Sequence, residues 1–148
     1  LLVDAVTMAD NDPTVNLSQY NLITVFHAGV GKDINVGFDT TPQDIPSLYL
    51  SLDFLRNVFG ENYPGIIVNN GNDTIQNGII LPETESQEGN QLALTGIFAS
   101  NIASHLGMLD LFSPSEQVTG IGMFALLQMG QFNAYGLLPA IPCAIPSR

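Results

Sequence analysis

The sequence predicts an α/β or α+β domain with a small twisted sheet and two main helices. Residues 21–26 form a short run of β-branched and aromatic side chains, which is typical of a buried strand. Residues 45–59 and 92–106 instead repeat their apolar side chains at helical spacing. Both kinds of pattern in one chain of 148 residues indicate a mixed domain that is large enough to bury a core.

Three short strands are predicted, at residues 21–26, 66–68 and 78–81. The first is expected to end at a turn around Gly29 and Gly31, because paired glycines favour turns. Residues 69–73 are expected to form a tight turn, and Pro82 is expected to close the third strand. Residues 1–20 are polar and rich in turn-forming side chains, and no helix or strand is predicted there.

The first helix is predicted over residues 45–59, where apolar residues from Leu48 to Phe59 recur at helical spacing. Pro46 would lie near its first turn, where a backbone N–H has no partner inside the helix. Gly60 follows Phe59 and is expected to end the helix.

The second helix, over residues 92–106, has the clearest helical pattern in the chain. Its expected apolar stripe consists of Leu94, Ile97, Phe98, Ile102 and Leu106. Gly107 can adopt the left-handed backbone conformation that often follows the last turn of a helix, so the helix is expected to stop there.

Composition and charge exclude some classes of function. Only 11% of the residues are charged, against about 25% in a typical soluble domain. The formal net charge is −11, which would repel a phosphate backbone, so nucleic-acid binding is not expected. No apolar run reaches the roughly 20 residues that span a bilayer. An acidic chain is compatible with calcium, although a solvated acidic surface explains the charge more simply.

The second helix carries the spacing of a zinc-protease motif without its metal-binding side chains. That motif is H-E-x-x-H-x-x-G-x-x-D, with two imidazoles four residues apart on one helix face and a glutamate that activates water. In this chain the two imidazole positions are Ser100 and Ser104, and the glutamate position is Asn101. The glycine is Gly107 and the third ligand position is Asp110.

Residues 96–112 resemble the active-site helix of the immune inhibitor A type of secreted bacterial metallopeptidases. Three further blocks are similar to that family in the same order, namely residues 17–31, 79–83 and 120–130. The first contains an H-A-G-x-G turn, and the last resembles the segment that carries the methionine turn, with Leu127 at the methionine position. The resemblance covers roughly residues 4–146 and implies a zincin-like catalytic-domain plan.

The resemblance also implies that catalysis has been lost. Serine hydroxyls are poor zinc ligands, and the amide of Asn101 cannot take a proton from water at neutral pH. Asp110 would be the one remaining ligand, and a single carboxylate cannot hold zinc against solvent. We therefore expect no catalytic residue and no zinc, with calcium as the one cofactor left open.

Other interpretations of these residues remain open at the level of sequence. Ser100 and Ser104 can be small residues at a tight helix contact, and Asp110 can be a hydrogen-bonding turn residue. A makeshift metal site of His27, His105 and Asp110 has no support from the family layout. The acidic side chains Glu83, Glu85 and Glu88 are expected to form a solvated loop. A serine hydrolase is disfavoured because no G-x-S-x-G occurs.

The expected function is that of a catalytically inactive metallopeptidase-like domain with a structural or binding role in an exported protein or assembly. The alternatives are an active zinc metalloendopeptidase with rearranged ligands and a calcium-stabilised extracellular module. Partners would be proteins or other domains of the same chain, and the location would be extracellular or the cell surface. Residues 1–148 are expected to form one metallopeptidase-like domain from a longer chain, since the sequence starts without Met.

Overall fold

The fold is mixed α/β, as the sequence predicts, in a computed structural model that describes residues 1–34, 43–108 and 121–143. In that part of the chain the α-helices are α1 (Leu2–Asp10), α2 (Leu52–Phe59) and α3 (Thr95–His105). The strands are β1 (Thr24–Val30), β2 (Leu48–Leu50), β3 (Ile66–Val68), β4 (Asp73–Ile75) and β5 (Gly78–Thr84). Short 3₁₀ helices occupy Leu17–Gln19, Asn69–Gly71, Gly122–Phe124 and Met129–Phe132.

The strands form two small sheets. One has the order β1-β5-β2, in which β2 pairs antiparallel with the start of β5 so that Leu48 lies opposite Ile80. The other is the antiparallel hairpin of β3 and β4, with Ile66 opposite Ile75. The predicted strand at 66–68 therefore exists, but it does not belong to the same sheet as the other two predicted strands.

The chain divides into two units, of which the first comprises residues 1–27 and 48–81 and the second residues 28–47 and 82–148. The first unit has a hydrophobic core to which α1, α2 and the β3–β4 hairpin contribute. Its buried members are Leu2, Val6, Leu17, Leu50, Leu55, Ile66, Val68 and Ile80. The second unit contains α3 and a smaller cluster of buried residues, Ala103, Leu126 and Leu127, with Ala99 and Met108 packed against it.

The expectation of no element in residues 1–20 is wrong, because α1 lies there. Leu2 and Val6 are buried in the core of the first unit. They are four residues apart and so share one face of the helix. The polar, turn-forming residues that follow from Asp10 to Gln19 obscured this short amphipathic pattern.

The predicted helix over residues 45–59 is wrong in its first half. Leu48–Leu50 pair with β5 as a strand, and α2 begins only after Ser51. The Ser51 hydroxyl accepts a hydrogen bond from the Phe54 N–H at 3.2 Å, which is the arrangement of a helix N-cap. The helical spacing of the leucines could not reveal that Leu48 pairs with a neighbouring strand.

Two predicted strand ends also differ from the structure. β1 continues through Val30 instead of stopping at the glycine turn, and Gly29 adopts a φ of 93° within the strand. β5 runs through Pro82 to Thr84. Proline is tolerated there because the pairing with β2 ends opposite Ile80, so that side of β5 needs no N–H at Pro82. In the described residues, no helix is long and apolar enough to cross a membrane.

Candidate functional site

Helix α3 begins at Thr95, three residues later than predicted, and its start depends on a distant part of the chain. Leu94 offers no side-chain cap, but the Gly96 N–H donates to the Gly136 carbonyl at 2.9 Å. The Ala93 N–H likewise donates to the Tyr135 carbonyl at 2.9 Å. The backbone around Gly136 therefore satisfies a free N–H of the first helical turn, a task that a polar side chain usually performs.

The end of α3 agrees with the prediction. Gly107 has a φ of 84°, the left-handed conformation expected of a residue that terminates a helix. The Met108 N–H donates to the Ala103 carbonyl and the Gly107 N–H to the Ser104 carbonyl, both at 3.0 Å. These two bonds form a Schellman motif, which ends the helix at the predicted glycine.

The predicted apolar stripe of α3 is wrong for Phe98 and Leu106, whereas Ile97 is buried and Leu94 and Ile102 are partly buried. The buried residues of the helix are Gly96, Ile97, Ser100, Asn101 and Ala103. Leu106, by contrast, is 69% exposed and Phe98 is 37% exposed. A Cβ at Gly96 would overlap the carbonyl oxygen of Gln131, so a close backbone approach draws the face with small side chains inward. The two serine-bearing positions therefore differ from an ordinary solvent face of a helix.

The hydroxyl of Ser100 is hydrogen-bonded inside the protein. Ser100 is 8% exposed, and its Oγ lies 3.0 Å from the Ile97 carbonyl oxygen and 2.7 Å from Gln131 Oε1. Gln131 in turn donates through Nε2 to the Gln128 carbonyl at 3.2 Å. The amide of Gln131 thus lies against the position where the protease family would place its first imidazole.

The side chains of Asn101 and Ser104 also bond to the helix backbone. Asn101 Nδ2 donates to the Ile97 carbonyl at 2.9 Å, and Ser104 Oγ donates to the Ser100 carbonyl at 3.1 Å. Such bonds to the preceding turn are common for short polar side chains within helices. All three side chains are neutral, and each donates a hydrogen bond to a main-chain or amide oxygen. This donor set does not fit zinc, which takes thiolate, imidazole or carboxylate ligands.

The segment that packs on α3 contains a polar residue that sequence reasoning missed. Gln128 is only 2% exposed, and its Oε1 accepts hydrogen bonds from the Ile121 N–H at 2.9 Å and the Gly122 N–H at 2.6 Å. Leu127, which the sequence resemblance would place at the methionine-turn position, is 8% exposed in the cluster with Ala103. A glutamine inside the apolar run 123–129 was the available signal, since a buried polar side chain needs partners.

Burial along the apolar run 123–129 is uneven. Ala125, Leu126, Leu127 and Gln128 are buried. Phe124, however, is 80% exposed and Met123 is 50% exposed. The run contains a 3₁₀ turn at its start, which directs these two side chains away from the buried cluster.

The remaining candidate ligands named from the sequence are Asp110, His27 and His105. Asp110 lies outside the described residues. His27 lies in β1 and His105 is the last residue of α3. Within residues 1–34, 43–108 and 121–143, no three His, Cys, Asp or Glu side chains form a group that could hold a metal ion.

The expectation of a solvated acidic loop is wrong for Glu85. Glu83 and Thr84 belong to β5, and the Glu85 side chain directly after the strand is completely buried. Burial, together with the carboxyl groups of Asp33 and Asp44, raises the pKa of Glu85 to about 9. Composition alone could not distinguish this residue from its exposed neighbours.

Comparison of the chain with protein-family models, curated proteins and solved structures found no match.

Proposed function

We propose that this chain is a catalytically inactive metallopeptidase-like domain that has a structural or binding role in an exported protein or assembly. The observation that carries the proposal is the bonding at positions 100, 101 and 104. Their neutral side chains bond to the carbonyls of Ile97 and Ser100 and to the amide of Gln131. Side chains bonded in this way stabilise the helix, and they supply neither a metal ligand nor a base for water.

The C-terminal end of α3 supports the same proposal. Gly107 ends the helix with the two bonds described above, so the spacing from Ser100 to the glycine matches the zinc-protease frame. The zincin-like plan is therefore part of the proposal, in which neutral side chains replace the metal ligands. Asp110 would be the remnant of the third ligand.

The binding half of the proposal is supported by an uncharged stretch in the second unit. Residues 117–147 contain no Asp, Glu, Lys, Arg or His. The large apolar side chains exposed in its described part are Ile121, Met123, Phe124, Met129, Tyr135, Leu137, Leu138 and Ile141. Exposed apolar side chains in such density favour contact with another protein surface. The absence of basic residues from this stretch disfavours attraction to anionic lipids.

Metal analysis of the purified chain tests the loss of catalysis. We expect far less than one zinc per chain after dialysis against zinc-containing buffer, and no chelator-sensitive proteolysis. About one tightly held zinc per chain would overturn the proposal. Proteolysis that a chelator and Asp110→Ala both abolish would instead favour an active metalloendopeptidase with rearranged ligands.

Restoring the ligands tests the metallopeptidase frame separately. The triple variant Ser100→His, Asn101→Glu, Ser104→His should bind about one zinc per chain, and adding Asp110→Ala should weaken that binding. A second version also carries Gln131→Ala, which removes the side chain that lies against position 100. This version shows whether Gln131 obstructs the new histidine at position 100. If both versions fold but neither binds zinc, the proposed frame is wrong.

A further inference from the structure

The carboxyl group of Glu85 is enclosed by its own unit. Its Oε1 and Cδ lie so close to Gly31 that a Cβ on that glycine would overlap them. The Gly31 N–H donates to the Thr84 carbonyl at 3.0 Å, and Gly31 also forms a parallel bridge with Ile45. No part of the Glu85 side chain is accessible to solvent. The group is therefore held under backbone, where water cannot solvate a charge.

Neither oxygen of Glu85 has a hydrogen-bond donor among the described residues. The neighbouring Asp33 has several, because its oxygens accept from the Ser47 N–H at 3.0 Å and from the Ser47 hydroxyl at 2.8 Å. Asp33 is thus bonded as a carboxylate should be, whereas Glu85 is not. A buried carboxylate without a donor is strongly disfavoured relative to the neutral acid, so such a group usually binds a proton.

Glu85 lies within hydrogen-bonding reach of Asp33. Two carboxylates in contact are two acceptors that repel each other, and they form no bond. One proton placed on Glu85 converts the contact into an O–H···O⁻ bond, which is among the stronger hydrogen bonds in proteins.

The other charged groups on these segments do not remove the need for a proton. Asp44 adds further repulsion to a charge on Glu85. The Glu83 carboxylate is hydrogen-bonded elsewhere, because its Oε1 accepts from the Gly29 N–H at 3.0 Å. Lys32 is the one basic residue in the segments 28–34, 43–47 and 82–90, and it does not lower the pKa of Glu85, which burial and the two aspartates raise.

We infer that Glu85 and Asp33 hold one proton between them as an acid–carboxylate pair, and that folding of the segments around Gly31 and Ser47 takes up this proton. The pair makes the second unit sensitive to alkaline pH. Loss of the proton would place two negative charges in contact under the backbone of Gly31.

The direction of the pH dependence follows from the two states of Glu85. Its pKa is raised from 4.5 to about 9 on folding, first by burial and then by Asp33. Below pH 4.5 the group is protonated in both states, and its contribution to stability is fully present. Between the two values only the folded chain keeps the proton, so the free energy of unfolding falls as pH rises. Ordinary carboxylates with lowered pKa values show the opposite trend.

Urea unfolding of the intact chain at several pH values between 5.5 and 8.5 tests the inference. Glu85→Gln is the decisive variant, because an amide has the shape of the acid and its NH₂ group can donate to Asp33. We expect its unfolding equilibrium constant, relative to wild type, to fall by up to tenfold per pH unit as pH rises. The two proteins share every other ionisable group, so the comparison isolates the contribution of position 85.

Glu83→Gln is the matched control, since it removes a neighbouring charge and should leave the pH slope unchanged. If the ratio of the unfolding equilibrium constants of Glu85→Gln and wild type does not change with pH, the inference is overturned. If the variant does not fold, NMR titration of ¹³C-labelled glutamate carboxyl groups in the wild-type protein decides. One glutamate should remain protonated at pH 7, and five signals that all titrate near their ordinary values would overturn the inference.

Discussion

At the scale of single residues, Gly96 determines how α3 packs. Its lack of a side chain admits the backbone of Gln131, and the Gln131 amide then reaches Ser100 at 2.7 Å. The sequence placed Ser100, Asn101 and Ser104 correctly on a helix. It could not indicate that Gln131, many residues later, lies against them, because nothing local links residue 131 to residue 100.

Gly96→Ala tests this contact, because propensity and packing predict opposite results. Alanine is better than glycine inside a helix by about 1 kcal/mol. The overlap with the Gln131 carbonyl should outweigh that gain and destabilise the protein by about 1–3 kcal/mol in urea unfolding. Gly89→Ala is the control, since no atom lies within 4 Å of a Cβ there and only its positive φ opposes alanine. A Gly96→Ala protein that is more stable than wild type would contradict the contact.

At the scale of elements, local signals were reliable where the chain itself supplies the bonding partner. Gly107 ends α3 as predicted because its left-handed conformation is a property of glycine. The helix start was misplaced because its N–H partner is the distant Gly136 carbonyl. The predicted start of α2 is likewise too early, because residues Leu48–Leu50 pair with β5 as a strand.

The N-cap of α2 is open to direct test. Ser51→Ala removes the acceptor for the Phe54 N–H and should lower the free energy of unfolding by about 1 kcal/mol. Ser51→Asp keeps an acceptor and should retain most of the stability. Equal unfolding midpoints for the wild-type and Ser51→Ala proteins would mean that the cap adds nothing to the helix.

At the scale of the whole molecule, the excess of acidic residues dominates the electrostatics. The chain has 14 acidic and 3 basic residues, and the described structure has few ion pairs to offset them. Arg56 lies 3.9 Å from Asp53 in an exposed pair of that kind, which contributes little in solvent. Repulsion among the remaining carboxylates should therefore oppose folding.

Thermal unfolding in salt measures this repulsion. Raising NaCl from about 0.01 M to about 1 M shortens the screening length from about 30 Å to about 3 Å. The melting temperature should rise, by about 2–4 °C for each kcal/mol of repulsion removed. A melting temperature that stays constant or falls would show that the acidic surface is not self-repelling.

Calcium and magnesium chloride at one ionic strength provide the control for specific ion binding. Screening alone should raise the melting temperature equally with either salt. An additional rise with calcium that a chelator reverses would favour the calcium-stabilised module over simple screening.

The sequence by itself determined the mixed fold class, the strand at 66–68, the helix around residue 100 and its glycine stop, because these depend on local periodicity and backbone preference. It also determined that positions 100, 101 and 104 carry neutral side chains. The tertiary structure alone decided which face of α3 is buried, how β5 passes Pro82, and that Glu85 is enclosed beside Asp33. Those outcomes depend on contacts between residues far apart in the chain, where the backbone of one segment excludes water from the side chains of another.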